Sequence, residues 1–523
     1  MALRNVLFVM CDQLRHDYLG CAGHPHLATP NIDALAASGL RFTRAFVQSP
    51  VCGPSRMSFY TGRYVASHGA TWNNVPLRVG EPTLGDHLHP HGLRVAVCGK
   101  THAVPDRAGL ARLGLDPGSG AGLLAAEAGF EPFARDDGLH PSVSTSGEGA
   151  YERFLHASGY EGPHPWERWA NAVEGAEGEP LSGWHMRHAR QPARIRAEDS
   201  ETAWTTNQAI AFLEQAGDQP FLLHVSYIKP HWPYIAPAPF HALYGPNQVL
   251  PQVAHPAERE APHPVQAAFM DLEESRTWSR REVRETVIPA YMGLIAEVDH
   301  HLGRLMEALR RTGRDGDTLV VFTSDHGDYL GDHWLGEKEL FHDQSVRVPL
   351  ILRDPRPVAD ATRGGACDAL AEAIDLAPSF LDALGLPAQD HVLEGWSLMP
   401  LLHGTPPPGW RTAAVSELDY SFRLSRRALG LGPEDGRAWM LRTSRWKLVW
   451  HERFRPQLFD LEADPSEFHD LGAEPALEAV RQELAAALFA RLRGLKRRIT
   501  VSNAEVQART GTGRQRGYLI GVW

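Results

Sequence analysis

Cysteine is scarce in this chain. Five occur in 523 residues, Cys11, Cys21, Cys52, Cys98 and Cys367, odd in number, irregularly spaced and without a Cys-x-x-Cys pair. That pattern argues against a disulfide framework and against a thiolate zinc site. Long apolar runs are also missing. The N-terminal "VLFVMCDQ" is too short for a secretory h-region or a membrane span, so a cytoplasmic protein with no membrane partner is expected. Positive charge is not in excess either: 52 Lys and Arg face 63 Asp and Glu, a net charge of -11, which gives no basic surface for nucleic acid. What remains, 43% hydrophobic and 22% charged residues, is the composition of a soluble globular protein large enough for one big domain and a smaller one.

Short apolar runs alternate with segments of helical period, the signature of βαβ units around a largely parallel sheet. "NVLFVM" reads as the first strand. "TPNIDALAASG" reads as a helix with Thr29 at its N-cap, Pro30 in the first turn and Gly39 at its close. Helix and strand then recur in "TLGDHLHPHGLRVAVCGK", in "ETAWTTNQAIAFLEQAG" with "FLLHVSYIKPH", and in a long helix before "TLVVFTSDHG". Residues 103–200, rich in Gly, Ala, Pro, His and Trp, read as an insertion arching over the sheet edge and lending residues to the substrate pocket. The triple proline Pro406 to Pro408 marks a boundary, giving a catalytic α/β domain over 1–405 and a C-terminal α+β subdomain over 406–523. In the latter "AWMLRTSRWKLVWHERFRPQLFDLEADP" alternates like antiparallel strands, and "PALEAVRQELAAALFARLRGLKRR" is an amphipathic helix.

Polar residues cluster just after the predicted strands: Asp12 and Gln13, Lys100 and His102, His231, and Asp325 with His326. In an open α/β sheet the carboxyl ends of the strands are where ligands bind. Asp12, Gln13, Asp325 and His326 together offer carboxylates, an amide oxygen and an imidazole, suited to one divalent metal. Each pair alone is weak, because such residues more often cap helices or make turns. Placed together beside Cys52, they carry more weight.

"CGPSR" matches the sulfatase signature Cys-x-Pro-x-Arg, and "SFYTGR" resembles its downstream Thr-Gly-Arg element. "TPNIDALAASGLRF", "GKTH", "KPHWPY", "FTSDHGDYLGDH", "KELFHDQSVRVPLI" and "QLFDLEADPSEFHDL" resemble further sulfatase blocks in the family's order, across nearly the whole chain. The Asp-Gln pair, "NNVPL" and the layout are similar to the bacterial phosphonate monoester hydrolase and arylsulfatase group of the alkaline phosphatase superfamily. The resemblance implies an alkaline-phosphatase-like α/β fold with a large, mostly parallel central sheet and a smaller C-terminal antiparallel sheet plus helix. It also implies that Cys52 is oxidised to formylglycine by a formylglycine-generating enzyme. The hydrated aldehyde would attack sulfur or phosphorus with one hydroxyl, forming a covalent hemiacetal ester. Loss of the proton from the second hydroxyl would then re-form the aldehyde and release the product. A serine or a plain thiol lacks that second hydroxyl.

On the same resemblance, the metal ligands are Asp12, Gln13, modified Cys52, Asp325 and His326, and the ion is Ca2+ or, given the imidazole nitrogen, Mn2+. Arg56 would hold the nucleophile oxygen or neutralise the carboxylates. Gly53 and Pro54 would start a helix at about Ser55 and set residue 52 at its anion-binding N-terminus. Lys100 and His102 would contact the formylglycine hydroxyls and the ester oxygens, with His102 the base for elimination. His231 would bind an ester oxygen or protonate the leaving one, Lys338 would be a second cation on the transferred group, and Asn73 a polar substrate contact. His16, His68, His333 and His342 receive no role. Phosphonate monoester hydrolases resemble this chain less at 100 and 102, where they carry Tyr and Thr and sulfatases carry Lys and His. The expected reaction is therefore sulfate monoester hydrolysis, with phosphonate monoester or phosphodiester cleavage as the alternative.

A catalytically inactive sulfatase-like binding protein is a further alternative, since fold alone does not prove function. A two-metal phosphatase expects a Ser or Thr nucleophile and fits the Cys52 block badly. The C-terminal "VQARTGTGRQRGYLIGVW" is expected to pack on a neighbouring subunit or the pocket rim, giving a homo-oligomer, most simply a dimer.

Overall fold

Alternation along the first strand sets the architecture. In a computed structural model describing residues 2–138, 149–512, 514–517 and 519, β1 (Asn5–Asp12) is buried at every position. Val6, Phe8 and Met10 enter one apolar core while Leu7, Val9 and Cys11 enter another. A strand buried on both faces is what a central position in a helix-covered parallel sheet requires. Each of the larger apolar side chains among them contributes about 1.5–3 kcal/mol by leaving water.

The other strands of this sheet are β2 (Leu40–Phe46), β3 (Arg94–Gly99), β4 (Glu131–Arg135), β7 (Phe221–Pro230), β8 (Thr318–Ser324), β9 (Arg347–Arg353), β10 (Gly365–Cys367) and the short β11 (Ala371–Glu372). A separate hairpin, β5 (Ala172–Glu174) and β6 (Pro180–Ser182), lies between β4 and β7 in the chain. The sheet order is β10-β2-β9-β8-β1-β7-β3-β4, with β11 also paired to β2. Only β9 runs against the rest, antiparallel to both β2 and β8. The strands β8, β1, β7 and β3 are parallel neighbours, so their carboxyl ends open on one edge.

Five helices matter for the site and its supports: α1 (Pro30–Ala37), α2 (Cys52–Thr61), α3 (Glu201–Gln215), α4 (Arg281–Arg311) and α5 (Glu478–Arg493). Thr29 does precede α1, but its hydroxyl bonds to Asp33 and Gly20 rather than capping the helix. The signature helix begins at Cys52 itself, three residues earlier than expected.

The stretch 103–200 is not purely an insertion over the sheet. Its residues 131–135 form the outermost strand, β4, because Ala96 and Cys98 of β3 pair with Glu131 and Ala134. The segment around Gly183, Trp184 and Met186 does reach the site. Beyond the prolines, β12 (Ala413–Asp419), β13 (Arg437–Thr443), β14 (Trp446–His451) and β15 (Gln457–Asp460) make a four-stranded antiparallel sheet. One face, with Val415, Leu441, Leu448 and Leu458, packs on Leu484 and Leu488 of α5; the other joins the large core through Ala414, Met440 and Val449. The packing expected of the tail falls partly on residues 513, 518 and 520–523, which lie outside the described residues; Leu519 is exposed. Among the described residues no helix is long and apolar enough to cross a membrane.

Candidate active site

Four strand ends and one helix start deliver the polar residues. Asp12 closes β1, Lys100 and His102 follow β3, His231 follows β7, Asp325 and His326 follow β8, and Cys52 opens α2. The turn after β3 needs Gly99: its φ is 98°, and a Cβ there would lie 2.0 Å from the Ser226 carbonyl oxygen. Gly53 is required by close approach, since a Cβ would come within 3.0 Å of Asn73 Cα.

Cys52 is 1% exposed. Its Sγ lies 3.1 Å from His326 Nε2, 3.3 Å from Lys338 Nζ and 3.7 Å from Asp12 Oδ1. Burial by itself would raise the thiol pKa. Lys338, Lys100 and His326 outweigh it and hold the thiol well below its usual range, with His102 adding to the effect.

Arg56 takes the second of its two expected roles. Its Nε donates to Asp325 Oδ2 at 2.7 Å and its Nη2 to Asp12 Oδ2 at 3.3 Å, while Nη1 donates to the Lys100 carbonyl and to Ser226 Oγ. It neutralises the carboxylates and braces the loop after β3. Lys100 Nζ lies 2.5 Å from Asp12 Oδ2. Burial opposes the charge on Lys100 and on Lys338, but Asp12 with Cys52 in the first case, and Cys52 with Glu337 in the second, raise both above the ordinary lysine value.

His231 donates Nδ1–H to the Trp232 carbonyl at 2.7 Å, which turns Nε2 toward Lys338 Nζ at 3.2 Å. Burial pushes its pKa down to about 4, with Asp12 working against that and Lys338 adding to it. Asn73 lines the pocket, but its amide oxygen accepts the Gly53 N–H at 2.8 Å, so it also fixes the start of α2.

Asp12, Cys52, Asp325 and His326 place donor atoms within 4.8 Å of one another, all buried. His326 donates Nδ1–H to the Gly327 carbonyl at 2.8 Å, which turns Nε2 toward the cluster. Gln13, at φ 66°, gives its amide N–H to Asp328 at 2.5 Å and turns its oxygen inward, where Lys338 meets it at 2.9 Å. Two carboxylates, an imidazole nitrogen and an amide oxygen aimed at one buried space fit a single divalent cation.

A cleft of about 450 Å³ opens above Cys52, lined near the thiol by Asn73, Lys100, His102, His231 and Lys338, and farther out by Trp72, Trp184 and Trp232. Sequence reasoning missed the outer wall and the supports Asp328 and Ser226. Asp328 lies three residues after Asp325 in the same polar run, which was a usable signal; Ser226 lies inside a fully buried strand and gave none.

The sulfatase family model matches residues 4–386, and the N-sulphoglucosamine sulphohydrolase C-terminal model matches residues 331–493. The chain belongs to the sulfatase family. It is 32% identical, over 98% of its length and 99% of the relative's, to a multifunctional alkaline phosphatase superfamily protein of Trinickia caryophylli. It is 27% identical to an arylsulfatase of Clostridium perfringens, covering 89% of this chain and 90% of that one. Among solved structures it resembles the phosphonate monoester hydrolase from Silicibacter pomeroyi at a TM-score of 0.80 and 30% identity, over 96% and 98% of the two chains. A large, mostly parallel α/β sheet with a small C-terminal antiparallel sheet is thus the fold of a sulfatase-family hydrolase.

Proposed function

We propose that this sulfatase-family hydrolase cleaves sulfate monoesters of the aryl type, using a formylglycine made from Cys52 and one divalent ion, Ca2+ or Mn2+, held by Asp12, Gln13, Asp325 and His326. The observation that carries the reading is the setting of Cys52, at a helix N-terminus with Lys338 at 3.3 Å and the donor cluster within 4.8 Å. When bound, the ion would lower the pKa of a coordinated hydroxyl, and the hydrated aldehyde would supply that hydroxyl where the thiol cannot.

The chain's own side chains account for the rest. Lys100 and Lys338 bring two ammonium groups to the nonbridging oxygens, where charge builds in the transition state. His231, whose pKa burial lowers, turns Nε2 toward Lys338, where it would bind an ester oxygen or, once the anionic ester favours its protonation, protonate the leaving one. His102, which lines the cleft with Cys52, is the base that takes the proton in the product-releasing step. Arg56 holds Asp12 and Asp325 in place.

Sulfate is favoured over phosphonate because Lys100 and His102 stand where phosphonate monoester hydrolases carry Tyr and Thr. The likeness to a phosphonate monoester hydrolase structure supports the second reading, cleavage of phosphonate monoesters or phosphodiesters at the same nucleophile. An intact and a peptide mass would show conversion of Cys52 as a loss of about 18 Da. Parallel assays on an aryl sulfate and an aryl phosphonate monoester then decide between the substrates. Faster phosphonate turnover replaces the first reading by the second, and high activity with Cys52 still a thiol removes both.

A further inference from the structure

The loop that carries Lys338 is unusually constrained. Between residues 330 and 339 five non-glycine residues, Leu330, His333, Trp334, Glu337 and Glu339, have positive φ. Such conformations persist where surrounding structure holds them in place. The strap 252–258 is laced to the loop: Val253 N–H donates to Asp332, His333 N–H donates to the Val253 carbonyl at 2.8 Å, and Gln252 donates to the Gly331 carbonyl. Phe468 packs against both the His333 ring and His255 of the strap.

At the base of the loop sit two histidines, one before Lys338 and one after it. The rings of His333 and His342 stack with centroids 3.9 Å apart at 18°, and both residues are buried, 0% and 5% exposed. His333 Nδ1 lies 2.7 Å from Glu258 Oε1, and His342 Nδ1 lies 2.8 Å from the Tyr329 hydroxyl. Both Nε2 atoms are buried without a hydrogen-bond partner. Two orphaned imidazole nitrogens side by side are costly in a core.

Glu258, His333 and His342 place one donor atom each within 4.8 Å of one another. Among the described residues Glu258 meets no lysine or arginine, whereas the nearby Lys447 is matched by Asp343 at 2.9 Å and Glu467 at 2.7 Å. Glu258 Oε2 accepts the His255 N–H at 2.7 Å and Oε1 faces His333, so a carboxylate with no lysine or arginine beside two imidazoles leaves a place for positive charge.

We propose that Glu258, His333 and His342 form a second divalent-metal site, of the zinc class and structural in role, which pins the stem of the Lys338 loop to the short helix Ala257–Glu260. Two imidazoles and one carboxylate suit Zn2+, with water as the fourth ligand. Ligand bonds of about 2.0–2.1 Å require the donors to close on one another, with His333 releasing its Nδ1 contact to Glu258 and turning a nitrogen to the ion. The Tyr329 hydroxyl orients the His342 ring from behind. The site shares no residue with the Cys52 cluster and stands whether or not the proposed sulfate chemistry holds.

The test uses the full chain and Zn2+. After equilibration with Zn2+ and dialysis, elemental analysis is expected to give one fewer bound zinc per chain in His342→Phe than in the unsubstituted protein. The zinc-dependent rise in thermal midpoint should shrink with it. Crystals of the unsubstituted protein, measured at the zinc edge after dialysis, should show an anomalous peak at the nitrogen edge of the stacked His333 and His342 rings, beside Glu258. That measurement decides the matter even if His342→Phe does not fold. No peak there, a peak that appears only in a millimolar soak, or equal zinc content in the two proteins overturns the proposal.

Discussion

Arg56 Nε lies 2.7 Å from Asp325 Oδ2, and neither side chain has any surface open to water. The same guanidinium reaches Asp12 and two further acceptors, so it is the main fixed counter-charge between the strand ends and α2. Replacing Arg56 with Met leaves two buried carboxylates facing each other. A loss of about 3–5 kcal/mol in unfolding free energy is expected for metal-free protein, less once a divalent ion restores positive charge. Urea unfolding of both proteins with and without chelator checks this. A loss below about 1 kcal/mol without metal would mean that the pair contributes little.

Much of this site was legible because its residues come in short blocks tied to strand ends. Asp12, Lys100, His231 and Asp325 each follow an apolar run that had to be a strand, and parallel pairing of β8, β1, β7 and β3 brings them together. The outer wall was not legible. Trp184 and Met186 belong to a stretch without clear periodicity, and Glu274 and Arg423 reach the cleft from segments far apart in the chain. β4 was hidden for a related reason: "EPFAR" is short, contains a proline and is only partly buried, as suits an edge strand. The helix start was misplaced because Cys52 enters α2 by its backbone, with no side-chain cap to mark it.

Asp328 is expected to control metal affinity through Gln13. Its Oδ2 accepts from Gln13 Nε2 at 2.5 Å and from the Tyr234 hydroxyl at 2.8 Å, which orients the Gln13 oxygen inward. In Asp328→Asn the amide loses that orientation. Titration of metal-free protein with Mn2+ should show affinity lower by roughly 10–100-fold, the usual effect of removing a residue that orients a ligand. Unchanged affinity would show that Gln13 is held by other means.

His224 offers a test of buried-histidine linkage away from the reaction. It lies under the sheet between Tyr60 and Phe8, its Nδ1 at 3.1 Å from the Phe8 carbonyl and its Nε2 at 3.0 Å from the Tyr60 hydroxyl. Burial lowers its pKa to about 3. A histidine depressed in the folded state contributes stability that is fully present above its unfolded pKa of about 6.5 and is lost as pH falls toward the folded value. His224→Gln should therefore be most destabilising near pH 8. The difference should narrow by about 2 kcal/mol at pH 5, because the substituted chain has no proton to gain there. Denaturant unfolding of both proteins from pH 8 to pH 5 reads this directly, and a constant difference would place the His224 pKa near its ordinary value.

Before maturation and without metal, Cys52 should behave as a thiolate near neutral pH. Lys338, Lys100 and His326 hold its pKa well below the usual thiol value, whereas burial raises Cys11 and Cys98, pushes Cys21 up to about 12 and also raises Cys367. Cys52 lines the cleft, so a small alkylating agent can reach it. Iodoacetamide at pH 6 should label Cys52 ahead of the other four, read by peptide mass. Lys338→Met removes the charge 3.3 Å from the sulfur and should slow labelling at pH 6 by about tenfold or more, with the gap closing above pH 9 as the thiol ionises without help. If the two proteins differ by the same factor at every pH, Lys338 controls access to the sulfur rather than its ionisation.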